Sequence, residues 1–513
     1  MQTLSYLTDV IGARLTGSPQ MKRANEWTRD QMTKWGMQNA HLEAWGPFGR
    51  GWTLKNFDAQ VVAPYDIPLI AYPKAWSPST KGAVTADVIF FNPKTDADYE
   101  KYKGQLRGKI VLVSDARELK PDFTGMGSRR TDEELAKMAS APDPAAVTAP
   151  ASGNAGISPD RMKMFMDRFV QSAKRMNFLM QEGAAVLVDN SGNGSGGTIF
   201  VSQASVAQDV PQNPADFFGA KRLQPWQKEG ESKMLPQVTV ATEHYNRMVR
   251  MINLGEKLKM TVNVQAAYND DDPMAYNTVA EIPGSDPKLK DEIVMLGGHM
   301  DSWHAGTGAT DNGAGVAVAM EAARIIQASG LKPRRTIRVA LWSGEEEGLF
   351  GSSNYVTQHF GEMKGGGNAM QAAFGGAPPA KPELVKGADY EKLSAYYNLD
   401  NGTGKIRGVY LQGNSAVAPL FKAWLEPFKE MGATTLTLAN TGGTDHLSYD
   451  RIGLPGFQFI QDEIEYSSRT HHSNQDVFDR VQAEDMKQAA TIMAAFVYQT
   501  AMMDDKISRK VMR

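Results

Sequence analysis

Residues 292–301 of this 513-residue chain read Glu-Ile-Val-Met-Leu-Gly-Gly-His-Met-Asp, an apolar run that ends in two glycines, a histidine and an aspartate. The apolar part of this stretch is typical of a β-strand. A histidine directly after such a strand lies at its carboxyl end, where open α/β sheets place their ligand sites. This stretch therefore predicts the class of fold and also the edge of the sheet where chemistry takes place.

The segments that follow this strand alternate between predicted helices and strands. A helix is predicted at residues 313–328, strands at 336–342, 394–399 and 456–460, and a long helix at 482–503. Such alternation indicates an α/β fold in which helices cover both faces of a sheet.

The residues before this region have a different texture. Ser18 followed by Pro19 predicts the start of a helix near the N-terminus, because serine caps helices and proline suits the first helical position. From about residue 61 short β-rich runs dominate, and no cluster of candidate ligands lies among them. We therefore predict a discontinuous α/β domain, residues 1–60 and 270–513, interrupted by an inserted β-rich domain, residues 61–269.

Length and composition limit the classes of function. A chain of 513 residues is too long for one ordinary core, which agrees with two domains. A formal net charge of −3 and a pI near 6.3 give no electrostatic reason to expect nucleic acid as a partner. The chain has no cysteine, so any metal site must use histidine and carboxylate ligands. No apolar run is long enough to predict a membrane span.

Three segments bear on location and mobility. The first residues, 1–6, lack the basic and then apolar pattern of a signal peptide. The chain is therefore either cytoplasmic or an exported protein (periplasmic or secreted) whose leader is absent from it, and we expect the exported alternative. Residues 140–159 and 365–387, rich in Gly, Ala or Pro, are predicted to form a mobile surface loop and a flexible flap.

Separated segments place histidines and carboxylates at or beside predicted strand ends. Because these ends meet at one edge of a sheet, the side chains can converge although they are far apart in sequence. With no thiolate available, such a set suits two Zn²⁺ ions, and Co²⁺ or Mn²⁺ would also bind. Each ion would have one histidine, one terminal carboxylate, a share of a bridging aspartate and an open position for water. The candidate metal ligands are His299, Asp311, Glu346, Asp400 and His472.

Neighbours of these ligands have predicted roles as well. Residues two apart in an extended chain point the same way, so Asp301 is expected to stand behind His299 and accept its second ring proton. Adjacent carboxylates diverge, so one member of a Glu-Glu pair can bind metal while Glu345 faces substrate and water as the general base. Glu347, the next residue, is expected to be solvated.

The motifs His299-x-Asp301, Asp311, Glu345-Glu346, Asp400 and His472-Ser-x-x-Asp together resemble those of the M28 family of zinc peptidases, from about residue 277 to the C-terminus. The segment from Gly12 to Pro19 is similar to the start of such peptidases. The insertion resembles the protease-associated (PA) domain that many of them carry. The resemblance implies a mixed-sheet zinc-exopeptidase domain with helices on both faces and an inserted β-rich PA-like domain.

The resemblance also implies how the ligands pair. One zinc is held by His299 and Asp400 and the other by Glu346 and His472, with Asp311 bridging the two. Family members often have a tyrosine immediately before the last metal histidine, where its hydroxyl can bind the oxyanion. This chain has His471 there, as the carboxypeptidase Q group does, and an imidazole N–H can fill the same role. His471 is therefore the predicted oxyanion donor.

The expected reaction is hydrolysis of a peptide bond near a chain end, with peptides or dipeptides as substrates. The resemblance also allows a homodimer.

Three alternative functions remain open. A glutaminyl-cyclase-like acyltransferase would use a single zinc and would have no need of the extra ligand His299. A receptor-like binding protein without catalysis should have lost ligands, and here the whole set is present. A hydrolase of another amide, such as an N-acyl amino acid, stays an alternative.

Overall fold

The computed structural model describes residues 1–144, 159–211, 222–365 and 381–510, without the side chains of residues 159–162. Most of the predicted surface loop at 140–159 and of the predicted flap at 365–387 lies outside the described residues. No helix within the described ranges is both long and apolar enough to cross a membrane.

The described strands form two eight-stranded sheets and one small two-stranded sheet. In chain order the strands are β1 Gln38–Trp45, β2 Gly51–Ala63, β3 Ile67–Pro68, β4 Ala71–Pro73, β5 Val84–Phe90, β6 Ile110–Leu112, β7 Val186–Asn190, β8 Gln237–Val240, β9 Lys259–Asn269, β10 Ala275–Ile282, β11 Ile293–His299, β12 Thr336–Trp342, β13 Gly361–Lys364, β14 Glu383–Lys386, β15 Leu393–Asn398, β16 Ile406–Tyr410, β17 Thr435–Thr437 and β18 Gly456–Gln461.

The helices lie mainly between strands, as the alternation predicts. The α-helices are Gln2–Ser5, Pro19–Lys34, Asp96–Tyr99, Asp132–Ala139, Pro159–Glu182, Thr242–Asn253, Ala314–Ala328, Phe350–His359, Ala418–Leu425, His446–Asp450 and Ala483–Met502. The predicted N-terminal cap is confirmed, because the Ser18 hydroxyl accepts a hydrogen bond of 3.1 Å from the Met21 amide.

The first sheet has the order β1-β10-β12-β11-β15-β18-β16-β17. Strands β12, β11, β15 and β18 run parallel, whereas β10 is antiparallel to β12 and β16 is antiparallel to β18. The sheet is therefore mixed, as expected. A mixed sheet still gathers the carboxyl ends of its parallel centre at one edge.

Strand β11 shows why helices cover both faces. Its side chains alternate between faces, so Val294 and Leu296 join a core with helices Ala314–Ala328 and Ala483–Met502. Ile293 and Met295 face the opposite core, which contains side chains of helix Phe350–His359. Burial on both faces accounts for the nearly continuous apolar run in the sequence.

The second sheet has the order β3-β2-β9-β5-β6-β7-β8-β4 and lies mainly within the predicted insertion. Its strands β5 to β8 are parallel, and helices Pro159–Glu182 and Thr242–Asn253 pack on its two sides. The predicted boundary at residue 60 falls inside β2, which pairs with β9 from Gly51 opposite Asn269 onward. The second sheet therefore includes residues from Gly51 onward, ten residues before the predicted start of the insertion at residue 61. The reason is that β2 pairs antiparallel with β9, a strand far away in the sequence, so local sequence patterns do not indicate where β2 begins.

Candidate metal centre

The carboxyl ends of three neighbouring strands bring the predicted site together. In the register of the sheet His299 lies opposite Trp342, and Gly297 lies opposite Asn398. The segment after β12 supplies the Glu-Glu pair, and the segment after β15 supplies Asp400. Gly297 allows this register, since a Cβ atom there would lie 1.9 Å from the Ala340 carbonyl oxygen.

His299 is completely buried and faces two carboxylates. Its Nε2 lies 3.3 Å from an oxygen of Asp311 and 3.3 Å from an oxygen of Asp400. Burial favours the neutral ring, but Asp400 and Glu345 outweigh it and raise the pKa of His299 well above its ordinary value in the metal-free protein.

His472 completes a second cluster on the other side of Asp311. Its Nε2 lies 3.2 Å from the second oxygen of Asp311 and 2.9 Å from an oxygen of Glu346. Burial opposes the charge on this ring, yet Glu346 and Asp311 raise the pKa of His472 to about 11. Asp311 thus presents one oxygen to each histidine.

The distances fit the spacing that a tetrahedral ion imposes. Two ligand atoms bound at about 2.0–2.1 Å to such an ion lie about 3.3 Å apart. Each histidine nitrogen is within 3.3 Å of two carboxylate oxygens, which agrees with that spacing. Within the described part of the chain, four atoms of the cluster are buried and lack a hydrogen-bond partner: His299 Nε2, Asp311 Oδ2, Glu346 Oε1 and Asp400 Oδ1. Because unpartnered polar atoms are costly to bury, the chemistry of these residues fits metal cations between them.

Asp301 lies behind His299, but it acts mainly through its backbone. The main-chain carbonyl oxygen of Asp301 accepts a hydrogen bond of 3.1 Å from Nδ1 of His299, whereas its carboxylate oxygen is 3.6 Å away. A carbonyl only accepts, so Nδ1 carries the proton and Nε2 is free for metal. The Asp301 carboxylate accepts hydrogen bonds of 3.2 Å from both Thr16 Oγ1 and the Glu346 amide, so it orients the Glu-Glu segment as well.

Glu345 and Glu346 diverge as the sequence predicts. Glu346 faces His472, while a carboxylate oxygen of Glu345 lies within 4.8 Å of a ring nitrogen of His299 and an oxygen of Asp400. Burial raises the pKa of Glu345 well above its ordinary value and, together with Asp311, raises that of Glu346 to about 8. Both are shifts of the metal-free cluster, in which carboxylates crowd one another.

The expectation that Glu347 is solvated is wrong. Both of its carboxylate oxygens are buried, and burial raises the pKa of this group well above its ordinary value. The reason is a tight turn after β12, in which the amides of Gly348 and Leu349 both donate to the Glu345 carbonyl at 2.9 Å. This turn packs against the N-terminal segment, where Thr16 accepts the Gly344 amide at 3.1 Å.

His471 lies at the exposed side of the cluster. Its Nε2 is 3.7 Å from Asp311, and its ring stacks 4.6 Å from the Tyr466 ring and 3.7 Å from the His472 ring. Burial lowers the pKa of His471, which favours a neutral ring with one N–H. Its side chain is 43% exposed, so one edge of the ring is open to solvent.

Arg14 was missed by reasoning from residue types. Its guanidinium is fully buried and donates to the carbonyls of Met300 at 2.6 Å and of Thr307 and Gly308 at 2.8 Å. It therefore holds the loop between His299 and Asp311. The resemblance of the segment from Gly12 to Pro19 was the only signal that could have found it.

Asp476 is the last residue of the His472-Ser-x-x-Asp motif, and its carboxylate holds the other end of the bridging segment. It accepts the amides of Thr310 at 2.5 Å and Asp311 at 3.2 Å. Burial raises the pKa of Asp476 to about 7. The bridging aspartate is therefore held by its own backbone as well as by its side chain.

Comparison with known proteins finds relatives of the region that carries this cluster. Residues 277–497 match the model of peptidase family M28. Carboxypeptidase Q of Mus musculus is 30% identical over 276 residues, which cover 54% of this chain and 52% of that protein. The chain thus spans about half the length of this curated relative.

Two solved structures share the fold over nearly the whole chain. A peptidase M28 precursor from Shewanella amazonensis SB2B has a TM-score of 0.62 at 21% identity and covers 99% of this chain and 94% of its own. A zinc aminopeptidase from Bacillus subtilis has a TM-score of 0.54 at 18% identity and covers 99% of this chain and 95% of its own. At these identities the two structures support the fold.

Proposed function

We propose that this chain, whose residues 277–497 match the model of peptidase family M28, is a two-zinc exopeptidase that hydrolyses the terminal bond of peptides or dipeptides. The observation that carries the proposal is Asp311, whose two oxygens face His299 and His472 at 3.3 and 3.2 Å. A single-metal cyclase would have no use for two such clusters. The zinc in the name of the Bacillus subtilis aminopeptidase supports the choice of metal.

The ligand set that we propose follows the two clusters. When bound, a zinc pair polarises the scissile carbonyl and lowers the pKa of water at the site. His299 and Asp400 would hold one ion, Glu346 and His472 the other, and Asp311 both. Asp301 keeps the first histidine in the tautomer that leaves Nε2 unprotonated.

Glu345 is the proposed general base. Its carboxylate lies beside His299 and Asp400 and is not one of the proposed metal ligands. The residue is almost fully buried, at 8% exposure. A carboxylate in this place takes the proton of the attacking water and returns it to the leaving amine. His471, at the exposed edge, would donate its N–H to the oxyanion.

The insertion, PA-like in our prediction, would border the cleft. Its identity as a PA domain, an exported location and a homodimer all stay predictions. Substrate tests decide whether the enzyme recognises the amino or the carboxyl terminus of a peptide.

The test compares Glu345→Gln with wild type for zinc content and for hydrolysis of dipeptides, aminoacyl reporters and N-blocked peptides. We expect both zinc ions to remain and hydrolysis to fall by about 10²–10⁴-fold, the usual contribution of a general base. Glu484→Gln, at an 80% exposed side chain on the C-terminal helix, is the matched control and should behave as wild type. Full hydrolysis by Glu345→Gln would refute this mechanism, and one zinc per chain in fully active wild type would favour the cyclase alternative.

A further inference from the structure

The loop between β18 and the C-terminal helix, which carries His471 and His472, is strained at two residues. Ile464 and His472 have φ angles of 54° and 62°, in the left-handed region that non-glycine residues avoid. Such a residue persists only where its surroundings hold it. The contacts at these two residues therefore show what holds the loop.

Ile464 is held by a segment of the insertion. Its amide donates to the Ser128 carbonyl at 2.8 Å, and the Ser128 amide donates back to the Ile464 carbonyl at 2.8 Å. Nearby, the Ser468 hydroxyl donates to the Met126 carbonyl at 2.7 Å. These residues of the insertion follow β6, far along the chain from the loop that they contact.

His472 is held by a second segment of the insertion, residues 199–201. The Val201 amide donates to the His472 carbonyl at 3.1 Å, and the Asn474 amide donates to the Ile199 carbonyl at 3.0 Å. The Asn474 side chain adds two more bonds, since its Oδ1 accepts the Ile199 amide at 2.8 Å and its Nδ2 donates to the Gly197 carbonyl at 3.2 Å.

The segment at 199–201 is itself anchored in the insertion. The Phe200 amide donates to the Ser191 hydroxyl at 2.9 Å, one residue beyond β7. Just after the segment, Ala75 donates to the Ser202 carbonyl at 3.0 Å and accepts the Ala204 amide at 2.8 Å. The contact with the histidine loop is therefore a contact with the body of the second sheet.

The ring of His472 is linked to the insertion as well. It packs edge-on against Trp303 with ring centroids 6.0 Å apart, and Trp303 packs edge-on against Trp76 of the insertion at 6.3 Å. Both the backbone and the ring of this residue thus depend on the second sheet.

We infer that the inserted domain is a structural part of the metal site, because it holds His472 in its strained conformation through Asn474 and residues 199–201. Asn474 is then a positioning residue for the Glu346–His472 zinc. His299 itself is a regular strand end of the first sheet, and the insertion contacts the loop after it, where Nε2 of His304 lies 2.6 Å from the Pro73 carbonyl oxygen. This inference rests on the proposed two-zinc function.

The experiment is a zinc titration against a chelating indicator on wild type, Asn474→Ala and Asn474→Asp. Asn474→Ala should bind one of its two zinc equivalents about 10–100-fold more weakly, the usual effect of losing a group that orients a metal ligand. The other equivalent should stay within about twofold of wild type, since its ligands lie on the first sheet. Asn474→Asp keeps the acceptor for the Ile199 amide but loses the donor to Gly197, so its loss should be intermediate.

A double-mutant cycle with His472→Ala separates positioning from general stability. If Asn474 acts through His472, adding Asn474→Ala to His472→Ala should leave the affinity of the remaining zinc unchanged. Asn177→Ala is the matched control, because this amide also donates to a backbone carbonyl, that of Gln208 at 2.9 Å, but within the insertion alone. It should titrate as wild type.

Three outcomes would overturn the inference. The first is a titration of Asn474→Ala that matches wild type, the second is an equal weakening of both zinc equivalents, and the third is further zinc loss in the double variant. Failure of the proposed function looks different, because wild type itself would then bind fewer than two zinc ions or hydrolyse none of the peptides.

Discussion

The two histidines of the metal centre are supported in different ways. His299 is the last residue of a regular strand in the middle of the first sheet, and its side chain is fully buried. His472 lies in a loop with left-handed backbone, and its side chain is 34% exposed. The first is positioned by strand register, and the second by contacts with the inserted domain.

The two clusters therefore differ in rigidity and in solvent access. The cluster around His299 is built from strand ends whose hydrogen bonds are shared with neighbouring strands, so it moves only if the sheet does. The side chain of His472 is partly exposed, next to the exposed edge of His471. The loop side of the centre is therefore the accessible side, while the sheet side is buried.

The largest effect is expected where the two clusters join. Asp311→Asn keeps the volume of the side chain but replaces one acceptor oxygen by an NH₂ group, which only donates. Zinc binding should weaken in both clusters and hydrolysis should fall to background, as metal analysis and a dipeptide assay would show. Asp450→Asn, at a half-buried carboxylate paired with Lys510, should retain two zinc ions. Two tightly bound zinc ions in Asp311→Asn would contradict a shared ligand.

A smaller effect should distinguish the two clusters in the metal-free protein. His299→Ala leaves buried carboxylates without their cationic partner and should lower the free energy of unfolding by about 3 kcal/mol, as for other broken buried pairs. His472→Ala acts at a partly exposed group and should cost about 1 kcal/mol. Urea unfolding with a chelator present measures both. Equal or reversed losses would show that strand register does not set the difference.

The smallest effect concerns the exposed edge of the loop cluster. His471→Ala should keep both zinc ions but lower kcat by about 10²-fold, as for loss of one oxyanion donor. KM should change little, because the interaction forms in the transition state. His41→Ala is matched in exposure, 41% against 43%, and should leave kcat unchanged. An unchanged kcat in His471→Ala would remove this residue from the mechanism.

Much of the site could be predicted because its signals are local. An apolar run followed by His299 marks a strand end, and Ser18 before Pro19 marks a helix start, in each case within a few residues. The prediction that Glu347 is exposed was wrong because the turn that buries its carboxylate packs against Thr16, more than three hundred residues earlier in the chain. The predicted boundary at residue 60 falls inside β2 for a similar reason, since the partner of β2 is the distant strand β9.

The sequence by itself determined the order of strands and helices and the types of ligand, because periodicity, caps and the absence of cysteine are properties of neighbouring residues or of composition. Only the tertiary structure decided that Asp311 turns one oxygen to each histidine, that Arg14 clamps the loop after Met300, and that the insertion holds His472. These are contacts between segments separated by up to hundreds of residues, and no local pattern encodes their distances.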